Sequence, residues 1–137
     1  MDNRRIEANQ EQIGQYFQRW EFACQGGSCC GHSASVDPVL VVRADKLRDM
    51  IGSINPSSGF RCYRHNNKPV KQGGAGSDYS SQHPRGRAMD IPHEGRDVDE
   101  MAEAARVCGF AGIGRYTWGI HVDVRPNGGD FIQWDER

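Results

Sequence analysis

Two short segments of the chain alternate polar and apolar residues, and this alternation restricts the fold more than any other feature. In residues 87–91 and 120–124, the large apolar side chains fall on one face of an extended strand. The opposite face carries Asp90 in the first segment and both His121 and Asp123 in the second. Strands with one buried and one polar face have this pattern. We therefore predict two strands that lie side by side with their polar faces on one surface.

His83, Asp90 and His121 are candidate ligands for one Zn²⁺ ion on this surface. His83 precedes Asp90 by seven positions, with Gly86 between them to allow a sharp bend, and His121 follows Asp90 by 31 positions. Two histidines and one aspartate can hold a tetrahedral zinc ion and leave its fourth position to water, as in catalytic zinc sites. In the alternative interpretation each histidine is an ordinary hydrogen-bonded residue, and the spacing alone does not decide between the two.

Asp123 lies beside His121 on the polar face of the second predicted strand. Two roles are open to it: general base on a zinc-bound water, or acceptor for the N–H of a ligand histidine that faces away from the metal. Tyr116 is a weaker candidate for the acid or for a donor to the oxyanion. The polar surface thus predicts both a metal site and the groups that serve it.

Three residues that precede His83 in the sequence are further candidates for substrate binding. Arg61 offers a planar fork suited to a carboxylate or to the oxyanion of a tetrahedral intermediate, and a surface ion pair is the alternative. Ser81 either hydrogen-bonds substrate or caps its loop, and Gln82 is equally open. Lone histidines in loops are expected to be solvated rather than ligands: His32, His65 and His93.

The composition excludes some classes of partner. The 137-residue chain has a net charge of −1, so it offers no overall basic field to nucleic acid or to an anionic membrane. Basic residues near the candidate ligands in sequence suit a small anionic substrate instead. The N-terminal residues contain no apolar segment of the signal-peptide kind, and no 18-residue apolar run occurs. We expect one domain, residues 1–137, with no export signal.

The five cysteines do not form a complete disulfide framework, because their number is odd. A bridge between Cys24 and either Cys29 or Cys30 stays open as an interpretation. The cluster that these three form with His32 is an alternative second metal site, but its spacing departs from the usual zinc ligand pairs. We favour a loop with free or singly bridged thiols, and a buried core thiol at Cys108.

Helix and strand signals together indicate the fold class. Helices are predicted over residues 9–21, from Asp37 as N-cap to Gly52, and from Asp97 as N-cap to Gly109. A functional loop is predicted before the ligands, over residues 65–80. Helices come first and hairpins dominate the end of the chain, which is typical of an α+β fold. Strands are predicted in five segments: 58–61, 87–91, 112–116, 120–124 and 131–134.

The residues around the candidate ligands resemble the signature of the M15 peptidases. This group comprises zinc D-Ala-D-Ala carboxypeptidases and peptidoglycan endopeptidases, and it shares its fold with the Hedgehog signalling domain. The resemblance implies an α+β fold with a small antiparallel sheet and helices packed on one side. Two motifs carry it: Ser81-x-His83-x-x-Gly86-x-Ala88-x-Asp90 and Gly119-Ile120-His121-Val122-Asp123. The resemblance extends upstream to Ser58-Gly59-Phe60-Arg61 and covers roughly residues 15–134.

The resemblance also implies roles for individual residues. The three candidate ligands would bind the zinc, and Arg61 would engage the substrate carboxylate or the developing oxyanion. Many members of the family carry a glutamate base three positions before the last histidine ligand, where this chain has Trp118. Asp123 is then the candidate for the base, which would take a proton from the zinc-bound water and return it to the leaving amine.

The implied function is hydrolysis of peptide bonds in peptidoglycan stem peptides or cross-links, by a monomer with one Zn²⁺ ion. We expect a phage endolysin or virion-associated lytic enzyme that resides in the host cytoplasm before release to the cell wall, with a bacterial enzyme as the alternative. A non-catalytic zinc-stabilised binding module or a virion structural module is the competing class. The sequence leaves three cleavage sites open: the terminal D-alanine, the cross-bridge and the L-alanyl-D-glutamate bond.

Overall fold

The structure, a computed structural model, describes residues 12–22, 36–57, 59, 82–83, 86–126 and 131–137, which contain two α-helices, one 3₁₀ helix and six strands. The predicted α+β class is confirmed. The elements follow in the order β1 (Gln12–Ile13), β2 (Phe17–Gln18), a 3₁₀ helix (Arg19–Phe22), α1 (Pro38–Ile51), β3 (Ala88–Pro92), α2 (Val98–Val107), β4 (Gly112–Tyr116), β5 (Gly119–Asp123) and β6 (Ile132–Asp135).

Helix α1 begins and ends where the sequence predicts. The carboxylate of Asp37 accepts a hydrogen bond from the backbone N of Val39 at 2.9 Å, and Pro38 occupies the first helical position. Gly52 ends the helix in the left-handed region, with φ of 88°, where glycine is favoured. The helix turns one apolar face into the core: Leu40, Val41, Ala44 and Leu47.

Helix α2 is also confirmed and covers one face of the sheet. Asp97 accepts a hydrogen bond from the backbone N of Glu100 at 3.0 Å and so caps the helix. Helix α2 lies against β4, β5 and α1, and Cys108 directly after it is the buried free thiol that the sequence predicts. The buried residues of the helix are small apart from one methionine: Met101, Ala102, Ala104 and Ala105.

The larger sheet contains four strands in the order β3-β5-β4-β6. Strand β5 pairs antiparallel with both β3 and β4, and His121 lies opposite Asp90 on one side and Gly114 on the other. The strands predicted over 87–91, 112–116 and 120–124 are found within one residue of those bounds. The sheet therefore brings together two segments that are 31 residues apart in sequence.

The last strand, β6, pairs in parallel with β4, so the sheet is mixed rather than wholly antiparallel. Both edges of β5 are already occupied, by β3 and β4, and the open edge of β4 is the one that β6 takes. Because β6 starts at the end of the sheet where β5 stops, it runs antiparallel to β5 and hence parallel to β4.

The two faces of this sheet differ in chemistry because side chains alternate along each strand. We call the apolar face, which joins the helices in the core, the core face; its residues are Met89, Ile91, Ile113, Ile120 and Val122. We call the opposite face the site face; its residues are Ala88, Asp90, Gly112, Gly114, Tyr116, His121, Asp123 and Trp134.

The helix predicted over residues 9–21 is wrong for the described residues 12–22, which form the β1–β2 hairpin and a 3₁₀ helix. Gly14 has φ of 63°, a left-handed conformation that breaks the helical path. The carboxylate of Asp45 in α1 accepts hydrogen bonds from the backbone N of Gln15 at 2.8 Å and of Tyr16 at 3.3 Å. Tertiary contacts thus override a helical apolar spacing, although Phe17 is fully buried.

Several predicted features lie outside the described residues. They include the strand over 58–61 apart from Gly59, the functional loop over 65–80 and most of the cysteines: Cys24, Cys29, Cys30 and Cys62, with His32 and His65. No helix in the described part of the chain has the length and apolar character that a membrane crossing requires.

Candidate metal centre

The three predicted ligands meet on the site face. One nitrogen or oxygen atom from each of His83, Asp90 and His121 lies within 4.8 Å of the other two. The carboxylate Oδ1 of Asp90 is 3.3 Å from His83 Nε2 and 3.2 Å from His121 Nδ1. Asp90 and His121 face each other because they are register partners on β3 and β5. The group is largely buried, since the Asp90 side chain is 15% exposed.

His83 reaches this group through a turn before β3. Gly86 has φ of 67°, and its backbone N donates to the carbonyl of His83 at 3.1 Å, so the sharp bend predicted at this glycine is present. The Nδ1 of His83 lies 2.6 Å from the carbonyl oxygen of Gly59. A carbonyl only accepts, so His83 carries its proton on Nδ1 and turns the Nε2 lone pair toward Asp90.

His121 is held from its far side by a carboxylate. Its Nε2 is 2.7 Å from Oδ2 of Asp123, whose side chain is 0% exposed. Both oxygens of Asp123 are engaged by Arg125, through Nε at 2.8 Å and Nη2 at 2.6 Å, and the backbone N of Arg125 adds a further bond at 3.2 Å. Each candidate ligand histidine therefore has a fixed partner on the nitrogen that faces away from Asp90.

Both carboxylates stay anionic at neutral pH. Burial acts to raise the pKa of Asp90, but hydrogen bonds with His121 and His83 outweigh it and hold that pKa far below its ordinary range. Burial likewise opposes hydrogen bonds from Arg125 and His121 at Asp123, and the pKa of Asp123 also ends far below its ordinary range. The region in front of the ligand atoms is thus suited to a cation.

The two carboxylates act in the opposite direction on the histidine between them. Burial acts to lower the pKa of His121, but hydrogen bonds to Asp123 and Asp90 together raise it above its ordinary value. The pKa of His121 thus depends on one carboxylate from its own strand and one from the neighbouring strand.

Two glycines on β4 leave room for the side chains around His121. A Cβ on Gly112 would overlap the carboxylate of Asp123, and a Cβ on Gly114 would overlap the indole of Trp134. The ring of Trp134 lies 5.3 Å from the ring of His121. Sequence reasoning missed Trp134, and the signal that could have found it was the Gly-x-Gly spacing opposite the histidine.

Arg125 is the second functional residue that sequence reasoning missed. It follows Asp123 by two positions, so it lies on the same side of the chain, and that spacing was its only signal. Its guanidinium lies over the Trp134 ring, 5.3 Å from the ring centre, in a cation–π arrangement. Arg125, Asp123 and Trp134 therefore form a support behind His121.

Of the four predicted substrate-binding residues, the structure describes only Tyr116 and Gln82. Tyr116 lies on the site face, where its hydroxyl accepts a hydrogen bond from Trp134 Nε1 at 2.8 Å and its ring stacks on Trp118 at 4.9 Å. The backbone carbonyl of Gln82 accepts from Arg87 N at 3.2 Å, next to His83. Arg61 and Ser81 lie outside the described residues.

The donor set fits zinc. Two neutral imidazole nitrogens and one carboxylate oxygen, with each imidazole fixed by a bond on its other nitrogen, are the ligands and supports of catalytic zinc sites. The group could therefore hold a metal ion beside the polar face of the sheet, as the ligand groups of metal-dependent hydrolases do. The chain matches the peptidase M15 family over residues 15–124, and it belongs to that family. The resemblance to the M15 peptidases that the two motifs indicated is thereby confirmed.

The chain is similar to curated peptidoglycan L,D-endopeptidases. It is 30% identical over 97 residues to the peptidoglycan L,D-endopeptidase MepK of Escherichia coli strain K12, and the match covers 67% of this chain and 53% of the relative. The same values hold for MepK of Shigella flexneri. The chain thus spans about half the length of the curated relatives that it matches.

Proposed function

We propose that the chain is a zinc-dependent peptidase that hydrolyses peptide bonds in peptidoglycan stem peptides or cross-links. The observation that carries the proposal is the convergence of His83, Asp90 and His121 within 4.8 Å, each histidine with its second nitrogen already bonded. A bound zinc ion would lower the pKa of a water molecule and polarise the scissile carbonyl. The chain's own part is to hold the three donor atoms close together.

The contacts of Asp123 favour one of its two predicted roles. A general base must reach the water from which it takes a proton. Both oxygens of Asp123 are bonded to Arg125, Oδ2 is bonded to His121 as well, and the side chain is fully buried. We therefore propose that Asp123 orients His121 rather than acting as the base.

Tyr116 is the substrate residue that the described contacts support. Its hydroxyl uses a lone pair to accept from Trp134, so its own proton remains for donation. A phenol on the site face can donate to a substrate carbonyl or to the developing oxyanion. Binding roles for Arg61, Ser81 and Gln82 stay predictions of the sequence.

For the bond cleaved, we propose endopeptidase action, because the curated relatives are peptidoglycan L,D-endopeptidases. The test is digestion of purified peptidoglycan with the zinc-loaded chain, followed by muramidase treatment and mass spectrometry of the soluble products. Endopeptidase action on a cross-link converts dimeric muropeptides into monomers, whereas carboxypeptidase action releases single D-alanine residues. The matched control is the same preparation after chelation, with activity restored when zinc is added back.

The same experiment separates the enzyme from the competing class. A chain that binds one zinc ion per molecule yet releases no new amino groups from peptidoglycan would contradict the peptidase and favour the non-catalytic zinc-stabilised module. Phage origin, virion association and the monomeric state stay predictions of the sequence, which fractionation of virions and light scattering of the purified chain would test.

A further inference from the structure

His121 lies between two carboxylates, and its two nitrogens must be used differently. Nδ1 is 3.2 Å from Asp90 Oδ1, and Nε2 is 2.7 Å from Asp123 Oδ2. A neutral imidazole has only one proton, so one nitrogen donates and the other offers a lone pair. A proton on Nδ1 would occupy the position that faces Asp90 and His83, and the ring could not then contribute to the three-ligand group.

The shorter contact lies on the Asp123 side, and Arg125 fixes the carboxylate there. The guanidinium of Arg125 donates to both oxygens of Asp123, at 2.8 Å and 2.6 Å, in a two-bond fork that prevents the carboxylate from rotating. Arg125 is in turn held over the ring of Trp134, which also lies beside His121. The Asp123 carboxylate is therefore held in a single orientation, with Oδ2 facing His121 Nε2.

We propose that Arg125 is a positioning residue that acts through Asp123 to keep the proton of His121 on Nε2 and to turn Nδ1 toward Asp90 and His83. This inference rests on the proposed zinc site. It assigns a role to a residue that touches no ligand atom of the metal, and it explains why a buried carboxylate follows the last ligand by two positions. The structural logic is that of a partner behind a ligand histidine, which fixes both tautomer and ring orientation.

The test compares Arg125→Met with the matched control Arg115→Met. Arg115 also makes an ion pair, with Asp99 at 3.0 Å, and its side chain is 20% exposed against 25% for Arg125. It precedes Tyr116 on β4 and therefore points to the opposite side of the sheet from the ligands. Both variants lose one partly buried guanidinium, but only Arg125→Met releases the partner of His121.

Two measurements on the full chain are made for each variant. The first is the zinc dissociation constant, determined by competition with a chromophoric chelator. Arg125→Met should weaken zinc binding by about 10- to 100-fold, the usual effect of removing a group behind a metal ligand, and Arg115→Met should leave it unchanged. Arg125→Lys should restore only part of the loss, because a point charge cannot make the two-bond fork.

The second measurement is the tautomer of His121 in the metal-free protein, read from ring ¹⁵N chemical shifts at a pH where the ring is neutral. Wild type and Arg115→Met should show the proton on Nε2, and Arg125→Met should show a mixture of the two tautomers. An unchanged tautomer together with unchanged zinc affinity in Arg125→Met would overturn the inference. If Arg125→Met does not fold, Arg125→Lys is read in the same way, and wild-type tautomer and affinity there would overturn it.

The two readouts also separate this inference from the proposed function. A wild-type chain that binds no zinc would contradict the proposed function. The tautomer in the metal-free variants would still show whether Arg125 sets the proton position of His121.

Discussion

The two faces of the four-stranded sheet use the same strands for opposite purposes. The core face carries large apolar side chains that pack against α1 and α2, while the site face carries two glycines, one alanine and the polar residues of the candidate metal centre. Burial of apolar area stabilises the fold. On the site face the same alternation positions Asp90 and His121, and the glycines of β4 leave room for the side chains around His121.

The difference shows how a small domain can carry buried charge without weakening its core. Asp123 is fully buried, yet its charge is matched by Arg125 and His121 rather than by the apolar residues one position away on the strand. A buried ion pair is costly to break, because one charge is then left without a partner. Substitutions on the two faces should therefore change different properties of the chain.

The largest effect is expected on the site face, for His121→Ala. Loss of one of three ligands should abolish zinc binding and reduce peptidoglycan hydrolysis on the order of 1,000-fold, or about 4 kcal/mol of transition-state stabilisation. Zinc content and release of amino groups measure it. His93→Ala is the control, since His93 lies outside the three-ligand group, and it should keep both properties. Full zinc occupancy in His121→Ala would contradict the proposed centre.

The next effect is expected on the core face, for Ile113→Ala. Ile113 is 1% exposed, and its truncation should lower the free energy of unfolding of the metal-free chain by about 3 kcal/mol through lost burial and a cavity. Urea unfolding measures the change. Ile132→Ala on β6 is the matched control, because Ile132 is 40% exposed and its change should stay within about 0.5 kcal/mol. Equal losses of unfolding free energy in the two variants would contradict the claim that burial of Ile113 stabilises the fold.

A smaller effect is expected where the site face needs space, for Gly112→Ala. The added Cβ would overlap the Asp123 carboxylate, so we expect a loss of about 2 kcal/mol in unfolding free energy, as for overpacking, together with weaker zinc binding. Gly95→Ala is the control. Gly95 has a φ of 86° but no atom within 4 Å of an added Cβ, so this variant isolates backbone strain. The zinc affinity of Gly95→Ala should match wild type. An equal loss of zinc affinity in both variants would contradict the steric argument.

The smallest effect is expected for Tyr116→Phe. The variant loses the hydroxyl that accepts from Trp134, at a cost of about 1 kcal/mol in unfolding free energy, while the ring can still stack on Trp118. Zinc affinity should be unchanged, and peptidoglycan hydrolysis should fall because a donor to the substrate is lost. Tyr16→Phe removes a hydroxyl that bonds Asp49, and neither residue belongs to the three-ligand group, so it should leave hydrolysis at the wild-type rate. A wild-type rate in Tyr116→Phe would exclude the hydroxyl from the reaction.

The success of prediction from sequence followed the range of the interactions involved. The caps of α1 and α2 were predictable because Asp37 and Asp97 bond to backbone atoms only two or three residues ahead. The hairpin at residues 12–18 was not, because Asp45 in α1 stabilises its turn from about 30 residues away. The parallel direction of β6 depended on which sheet edge was still open.

The sequence alone determined the fold class, the alternation that separates a core face from a site face, and the identity of the three candidate ligands, because these follow from local periodicity and residue chemistry. Only the tertiary structure decided which groups stand behind those ligands. Gly59 and Trp134 reach the two histidines from distant parts of the chain, and Asp123 gains its fixed orientation from Arg125 within the folded sheet. Hydrogen-bond direction and distance are properties of packed atoms, and they are set when the strands meet.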